Sequence, residues 1–404
     1  MSINKITPLD TFVSNDAPIC YGILKPGDHY EGGIPVIKVK NIIGGVILED
    51  DLLKTTPEIH AQYKRAEVKE GDILLTIRGT TGRVAIVPNS LNGANITQDT
   101  ARIRVSSNDD SLYIFYALQS FNVQQQITLN TVGQAVKGIN IAEVKKLKIY
   151  HPILDEQKAI AQILSTWDQA ISATEKLLEN SQQQKKALMQ QLLTGKKRLL
   201  DEARSRFNIS WEKHRLGIFL KEEKQRNKDN SISRVLSVTN HSGFILPENQ
   251  FSKRIASDEV SNYKVVRQGQ YGYNPSRINV GSFARLDQFE NGLLSPMYVV
   301  FSIKSENLDS DFFLYWMKSN EAKQRINNST QGSVRDSVGF DAISSFVLKL
   351  PEIQEQRKIA KVLSFADQEI ETLQKKLNCL KQEKKALMQQ LLTGKRRVKL
   401  GELK

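Results

Sequence analysis

The chain contains a long internal repeat. Residues 152–199 and 351–398 align without a gap at an offset of 199 positions. Within them, the twelve residues KKALMQQLLTGK from Lys185 to Lys196 recur letter for letter from Lys384 to Lys395. A repeat of this size indicates that a chain is assembled from copies of one structural unit. The sequence therefore predicts two similar halves in tandem, each a globular region followed by a helix.

The globular regions also share residues at this offset. The matched pairs are Asn41 with Asn240, Gly44 with Gly243, Arg78 with Arg277, Gly82 with Gly281, Ser120 with Ser319 and Gly133 with Gly332. Short β-branched runs separated by glycines predict strands and turns, as at 35–40, 72–77 and 83–87. One helical candidate follows in each region, at 111–126 and 310–327. These signals favour an α+β fold with two tandem α/β domains.

The repeated segments have the periodicity of a coiled coil. Positions three and four apart form an apolar seam over about four heptads. The seam positions are Ile160, Leu164, Trp167, Ile171, Thr174, Leu178, Ser181, Lys185, Leu188 and Leu192, and in the second copy Ile359, Leu363, Ala366, Ile370, Leu373, Leu377, Leu380, Lys384, Leu387 and Leu391. Asp155 is the expected N-cap, and Gly195 and Gly394 are the expected stops. Residues 155–195 would form a rod of roughly 60 Å.

An apolar seam needs a partner, and the other copy is the nearest one. We expect the two helices to pair as an antiparallel coiled coil, giving a pseudo-twofold molecule. The alternative is that each helix packs on its own globular half. The expected domains are 1–151 (head 1), 152–200 (central helix), 201–350 (head 2) and 351–404 (C-terminal helix).

The sequence lacks the common catalytic motifs. It contains no Gly-x-Gly, no P-loop, no His-Glu-x-x-His and no Gly-x-Ser-x-Gly. The five histidines are scattered, and Cys20 and Cys379 lie far apart, so neither a metal site nor a disulfide framework is expected. No apolar run of membrane-spanning length occurs, which favours a cytoplasmic protein. The tetrapeptide Tyr273-Asn274-Pro275-Ser276 resembles part of an amino-methyltransferase motif, but a turn is the preferred interpretation.

The net charge of +13 favours a polyanionic partner. If the heads bind DNA, residues that recur in both should serve the fold or the phosphates, and residues that differ should read bases. The DNA-binding candidates are Lys38, Asn41, Arg78, Thr80, Thr81, Arg83, Asn95, Gln134 and Lys137 in head 1, and Asn240, His241, Ser276, Arg277, Asn279, Ser333 and Arg335 in head 2. The recurring Arg78 and Arg277 are the expected phosphate contacts. For each candidate, a solvated loop residue is the alternative.

This organisation resembles the specificity subunit of type I restriction–modification enzymes over nearly the whole chain. The helix motifs that carry the resemblance are PILDEQ at 152–157 with KALMQQLLTG at 186–195, and LPEIQEQ at 350–356 with KALMQQLLTG at 385–394. In head 1, PVIKVKN at 35–41 and GDIL at 71–74 are similar to segments of that family. Head 2 departs from the pattern with GQYG at 269–272.

The resemblance implies that each head reads one half of a split, asymmetric DNA site and that the coiled coil sets the gap between the halves. It also implies a subunit without catalysis or cofactors of its own. Two methyltransferase subunits would use S-adenosylmethionine to modify adenine N6, and two restriction subunits would use ATP and Mg²⁺. No membrane partner is implied.

The partner subunits are expected to bind the outward faces of the helices. The candidate partner-binding residues are Glu156, Gln157, Asp168, Gln169, Gln190 and Gln191 with their repeats Glu355, Gln356, Asp367, Gln368, Gln389 and Gln390. A solvated helix face is the alternative interpretation. A different function would be a coiled-coil scaffold whose heads bind protein or carbohydrate, and salt-sensitive binding of duplex DNA would distinguish the two. A fused methyltransferase is disfavoured by the missing motifs.

Overall fold

The structure, a computed structural model, describes residues 5–134, 136–201, 204–240, 242–246, 259–330 and 337–398. The chain divides into two units. Unit 1 comprises Met1–Glu175 and Lys375–Lys404, and unit 2 comprises Lys176–Gln374. Each unit therefore contains one head and a part of both repeated helices, so neither unit coincides with one half of the sequence.

Head 1 alternates short strands with short helices. Its elements are β1 (Ile6–Pro8), β2 (Cys20–Tyr21), β3 (Ile34–Ile37), β4 (Ile42–Ile43), β5 (Val46–Ile47), β6 (Leu53–Thr55), α1 (Pro57–Gln62), β7 (Ile73–Thr76), β8 (Val84–Ile86), β9 (Asn95–Ile96), β10 (Thr100–Ile103), α2 (Ser111–Gln119), α3 (Phe121–Leu129), α4 (Ile141–Lys145) and β11 (Lys148–Tyr150), followed by the long helix α5 (Leu154–Leu192). Strands β3, β7 and β8 confirm the three predicted β-rich runs.

Head 2 repeats this succession. Its elements are β12 (Glu212–Arg215), β13 (Leu220–Glu222), β14 (Ser237–Thr239), β15 (Gly243–Ile245), β16 (Lys264–Arg267), β17 (Tyr271–Tyr273), β18 (Phe283–Arg285), β19 (Asn291–Leu294), β20 (Val299–Ile303), α6 (Ser310–Met317), α7 (Asn320–Thr330), α8 (Phe340–Ser345) and β21 (Val347–Leu350), followed by the long helix α9 (Ile353–Leu391).

The main sheet of each head has the same topology. In head 1 it is an antiparallel sheet of order β2-β10-β7-β8, and in head 2 the order is β13-β20-β17-β18. The first and last strands of each head also pair, as β1 with β11 and β12 with β21. Head 1 has a second sheet, β6-β3-β9, in which β3 and β9 run parallel. The α+β class is confirmed.

The single helix predicted in each head is in fact two. Ser120 separates α2 from α3 with an extended backbone (ψ 148°), and its hydroxyl accepts a hydrogen bond from the amide of Val123. Ser319 has the same position in head 2 and accepts from the amide of Ala322. A serine that caps a new helix ends the preceding one, because its own backbone is not helical.

The long helices are copies in length as well as in sequence. Both α5 and α9 have 39 residues, and their ends differ by the repeat offset. At 1.5 Å per residue each is about 58 Å long. Asp155 lies within the first turn of α5, so the prediction that it is the N-cap is wrong. Gly195 and Gly394 adopt left-handed backbones with φ of 70° and 71° just after the helices, which confirms them as stops.

The helices run antiparallel within each unit. In unit 1, Lys381 binds Glu175 at 2.7 Å and Lys384 binds Asp168, so residue numbers rise along one helix as they fall along the other. In unit 2, Lys185 binds Asp367 in the same way. The antiparallel pairing is confirmed.

Each head packs on these helices as well. The core of unit 1 contains Phe12 and Ile73 of head 1, Leu164 of α5 and Leu391 of α9. The core of unit 2 contains Trp316 and Phe301 of head 2 with Leu192 and Leu363 of the helices. Burying a side chain of this size contributes about 1.5–3 kcal/mol. Both interpretations are therefore correct: each long helix packs on its own head and also pairs with the other long helix. None of the described helices has an apolar stretch that could span a membrane.

Candidate nucleic-acid interface

Two loops of head 1 are joined by backbone hydrogen bonds. One lies between β7 and β8 and the other between α3 and α4. The amide of Gly79 donates to the carbonyl of Lys137, and the amide of Ile139 donates to the carbonyl of Ile77, both at 2.9 Å. Within the second loop, Val132 and Gly138 exchange two hydrogen bonds of 2.9 Å. Gly79 and Gly82 have φ of 75° and 88°, which other residues rarely adopt. The two loops therefore form one fixed surface.

A cleft of about 590 Å³, here called cleft 1, opens beside these loops. Its lining includes Tyr21, Leu24, Arg78, Gln98, Val132 and Val136. Arg78 is half-exposed, with Nη1 3.4 Å from Oε1 of Gln98 and Nε 4.0 Å from a carboxylate oxygen of Asp99. Leu24, Val132 and Val136 are exposed although apolar. Arginine and glutamine donors beside apolar groups can bind phosphates, base edges and the thymine methyl group.

Six of the head 1 candidates lie on these loops, Arg83 at the end of the first one among them. Arg78, Thr80 and Thr81 belong to the first loop, and the exposed Gln134 and Lys137 to the second. Lys38 is half-buried and lies at the start of a short turn, where its amide donates to the side chain of Asn41.

Three candidates in head 1 make hydrogen bonds within the head: Asn41 and Asn95 are buried, which corrects their expected place in an exposed DNA-binding loop, whereas Arg83 is half-buried and its DNA-binding role stays a prediction. Asn41 is buried, accepts from the amide of Lys38 and donates to the carbonyl of Leu48. Asn95 is fully buried; its Nδ2 lies 3.2 Å from the carbonyl oxygen of Tyr63 and 3.2 Å from Nδ1 of His60. The guanidinium of Arg83 donates to two backbone carbonyls at 3.1 and 3.3 Å. Buried polar groups require such partners, so these side chains fix the loops.

Head 2 has a cleft beside the corresponding turn, between β17 and β18. This cleft, here called cleft 2, has a volume of about 470 Å³ and is lined by Asn240, Asn279, Val280, Met317, Lys318 and Lys323 among others. Asn240 and Asn279 were candidates, and Ser276 and Arg277 are exposed in the same turn. His241, Ser333 and Arg335 lie outside the described residues.

The Asn274 tetrapeptide forms a turn, as preferred. The side-chain oxygen of Asn274 accepts from the amide of Ser276 at 3.0 Å, and Asn274 is buried. Gly281 ends the turn with φ of 100°.

The sequence did not reveal Tyr21, Leu24 and Gln98 in cleft 1 or Lys318 and Lys323 in cleft 2. The two lysines could have been identified from the repeat. The offset aligns them with Gln119 and Gln124, so head 2 carries two positive charges where head 1 has neutral side chains. The repeat gave no signal for the three residues of cleft 1, because the offset aligns Tyr21, Leu24 and Gln98 with the unlike residues Leu220, Glu223 and Met297.

Four partner-binding candidates are buried, so their expected place on an outward face is wrong. Gln157 accepts from the amide of Asp110 at 2.9 Å and donates to the carbonyl of Pro152 at 3.0 Å. Gln356 makes the equivalent bonds in unit 2 to Asp309 and Pro351. Both glutamines fasten the start of a long helix to its head, which explains their recurrence.

The recurring glutamates bind arginines that follow the other long helix. Glu156 is 1% exposed and accepts three hydrogen bonds of 2.5, 2.6 and 2.9 Å from Arg397. Glu355 is fully buried and accepts from Arg198 at 2.6 and 2.7 Å. A buried carboxylate requires such a partner. In each unit the glutamate therefore joins the start of one long helix to the segment that follows the other.

Asp168 and Asp367 face the helix seam. Asp168 accepts from the hydroxyl of Tyr116 at 2.7 Å and binds Lys384, whose ammonium lies 5.2 Å from the Tyr116 ring centre. Burial and the nearby carboxylate raise the pKa of Tyr116 well above its ordinary value. Asp367, Tyr315 and Lys185 repeat this arrangement.

The other six partner-binding candidates are exposed on the long helices. They are Gln169, Gln190, Gln191, Gln368, Gln389 and Gln390. Their binding role stays a prediction. Over the described ranges, histidine, cysteine and acidic side chains form no group of three that could hold a metal ion.

Comparison with known proteins gives a consistent family. The model of the type I restriction modification DNA specificity domain matches residues 25–181 and 258–382. The specificity subunit of the type I restriction enzyme EcoBI from Escherichia coli is 30% identical over 188 residues, which cover 46% of this chain and 40% of that protein. The specificity subunit of the MjaVIII enzyme from Methanocaldococcus jannaschii is 26% identical over 356 residues, covering 83% of this chain and 81% of that protein.

Solved structures share the fold. The S subunit of a type I restriction–modification system from M. genitalium superposes with a TM-score of 0.57 at 16% identity, over 97% of both chains. The HsdS subunit from Thermoanaerobacter tengcongensis gives a TM-score of 0.52 at 16% identity, also over 97% of both chains. Since the two regions matched by the family model cover more than half of the residues, the chain belongs to the type I restriction–modification specificity subunits, which recognise a DNA sequence.

Proposed function

We propose that this chain reads a bipartite, asymmetric DNA site, one half with each head. The observation that carries the proposal is that the two heads place a cleft beside the same turn of the same sheet, yet line it with different side chains. Among the residues that the repeat does not match, cleft 1 offers Gln98 beside apolar side chains, whereas cleft 2 offers Asn279. Different donors and acceptors select different bases.

The paired helices set the distance between the two half-sites in this proposal. Inserting seven residues at matched positions of α5 and α9 keeps the heptad seam in phase and adds about 10 Å, or roughly three base pairs. The recognised gap should lengthen by that amount. An unchanged gap would rule out the spacer role.

Catalysis is assigned to partner subunits. Two methyltransferase subunits would bring S-adenosylmethionine and modify adenine N6, and two restriction subunits would bring ATP and Mg²⁺. The six exposed glutamines of the long helices are the proposed contacts with these cytoplasmic partners. The chain itself would hold no cofactor.

The decisive experiment maps N6-methyladenine across the genome of the source cell with and without this gene. Loss of modification from one bipartite motif would establish the proposed function and give the recognised sequence. If modification is unchanged, binding of duplex DNA is measured with the candidate methyltransferase present. Absence of salt-sensitive binding there would refute the proposal in favour of a scaffold whose heads bind protein or carbohydrate.

A further inference from the structure

Lysine side chains line a second cavity of unit 2, next to cleft 2. This cavity of about 430 Å³ lies between the end of α5 and the turn from α6 to α7. Met189 and Leu193 contribute apolar surface to it. Its lysines are Lys185, Lys186, Lys196, Lys318 and Lys323.

Four of these lysines have no salt-bridge partner in the part of the chain that the structure describes. Lys185 is neutralised by Asp367, and the acidic residue of the lining, Glu321, is bound to Arg325 at 2.6 Å. The remaining four are exposed, and within the described ranges no carboxylate forms a salt bridge with them. We call these four the lysine track: Lys186, Lys196, Lys318 and Lys323.

One charge of the track, that of Lys318, is partly buried and lies near the ammonium of Lys185. Partial burial and the nearby ammonium of Lys185 lower the pKa of Lys318 from its ordinary value. A bound anion would relieve this repulsion, because an opposite charge favours the protonated form of a lysine.

The lysine track is continuous with the proposed reading site. Lys318 and Lys323 line cleft 2 as well as the lysine cavity, so the same two side chains adjoin Asn240 and Asn279 on one side and the end of α5 on the other. A polymer whose bases enter cleft 2 would carry its backbone past these ammonium groups.

Unit 1 offers an internal comparison. The helix residues Lys186 and Lys196 recur there as Lys385 and Lys395, but the head residues do not recur. Gln119 replaces Lys318, and Gln124 replaces Lys323 and donates to the carbonyls of Gly82 and Leu118. The head contribution to the track is therefore specific to unit 2.

We infer that the lysine track binds the phosphate backbone of the duplex DNA that cleft 2 reads, so that head 2 holds its half-site with a stronger electrostatic grip than head 1. This inference rests on the proposed function. DNA is favoured over an acidic protein segment because the track continues from a cleft lined by amide side chains of the kind that bind base edges.

The test measures binding of the full-length chain to a labelled mixed-sequence duplex by fluorescence anisotropy, over about 50 to 200 mM KCl. Each phosphate contact contributes about 0.9 to the slope of log K against log salt. We expect the slope of Lys318→Gln/Lys323→Gln to be smaller in magnitude by about 1.8, and that of Gln119→Lys to be larger by about 0.9.

The matched control is Lys213→Gln/Lys349→Gln, which removes the same charge from two exposed lysines paired across β12 and β21. Its slope should equal that of the wild type. An equal loss in the control and the track variant, or no loss in the track variant, overturns the inference. An unchanged slope with loss of methyltransferase binding would assign the lysines to a protein partner instead. If the wild type shows no salt-dependent binding, the proposed function fails together with this inference.

Discussion

The ion pair between Glu156 and Arg397 allows a quantitative test of how much a buried contact between α5 and the segment after α9 stabilises unit 1. Arg397 follows α9 and approaches a carboxylate that is 1% exposed. We consider Arg397→Ala, which removes all three guanidinium hydrogen bonds and leaves the carboxylate with the amide of Val398 at 3.4 Å. The buried charge then has no counterion.

The expected cost follows from the burial of the carboxylate. Removing one partner of a buried ion pair costs about 3–5 kcal/mol. The side chain of Arg397 is 41% exposed, which places the variant at the low end, about 3 kcal/mol. For a unit of this size, each kcal/mol shifts Tm by about 2–4 °C, so the melting transition of unit 1 should fall by about 6–12 °C.

Unit 2 supplies a matched variant, Arg198→Ala. Glu355 would keep a hydrogen bond of 3.1 Å from the indole Nε1 of Trp211, whereas unit 1 has Phe12 at the equivalent position, with no donor. This bond should reduce the loss by about 1 kcal/mol, whereas the lower exposure of Arg198 (21% against 41%) should increase it. The two variants should therefore lose similar stability.

Differential scanning calorimetry of the full chain measures both transitions. A second variant, Glu156→Gln/Arg397→Ala, replaces the buried charge by a neutral amide and should recover more than half of the loss, because an amide is less costly to bury. If Arg397→Ala melts within about 1 °C of the wild type, or if the double variant is no better than the single one, the carboxylate is not the origin of the cost.

Three further predictions follow from single contacts. Gly394→Ala and Gly195→Ala both place an alanine at φ near 70°, but the new Cβ lies 2.8 Å from the Tyr150 ring in the first and 3.4 Å from Trp211 in the second. The left-handed backbone costs each about 1–2 kcal/mol, and urea denaturation should show a larger loss for Gly394→Ala; equal losses would contradict the contact argument. Asn95→Ala should destabilise unit 1 by about 1–3 kcal/mol without altering the methylated motif. Arg78→Ala should instead weaken DNA binding at nearly constant Tm. The reverse result would make Asn95 the DNA contact and Arg78 the structural residue. A chain ending at Leu200 lacks α9, so Lys185 of a second copy should replace Lys384 beside Asp168, and sedimentation should show a dimer; a monomer would refute this pairing.

The helical part of the fold was predictable because its determinants are local. The heptad seam and the glycines at 195 and 394 define the long helices within a few residues, and the repeat identifies their partners. The break at Ser120 was missed because serine is tolerated in a helix and its capping bond to Val123 depends on where the next helix points.

The site was less predictable because loop polar residues have two competing uses. Asn95 and Arg83 have donors suited to base edges, but the backbone carbonyls of Tyr63 and Ile42 need the same donors. Glu156 is an acidic residue in the first turn of a helix, which in a sequence indicates an exposed side chain. Its burial is possible only because Arg397, far along the chain, binds the carboxylate. Such contacts depend on tertiary structure, which a local pattern does not contain.

The division of the chain into units has a consequence for the order of folding during synthesis. Unit 2 is a continuous stretch, Lys176–Gln374, whereas unit 1 needs Lys375–Lys404 to join residues made much earlier. At about 5–20 residues per second, the apolar seam of Ile160 and Leu164 waits roughly 10–40 s for its α9 partners. Unit 2 can therefore fold first. During this interval the nascent head 1 must remain unaggregated and undegraded while part of its core is exposed. The interval is when a chaperone, or a neighbouring nascent chain offering the same helix, could bind the unfilled seam.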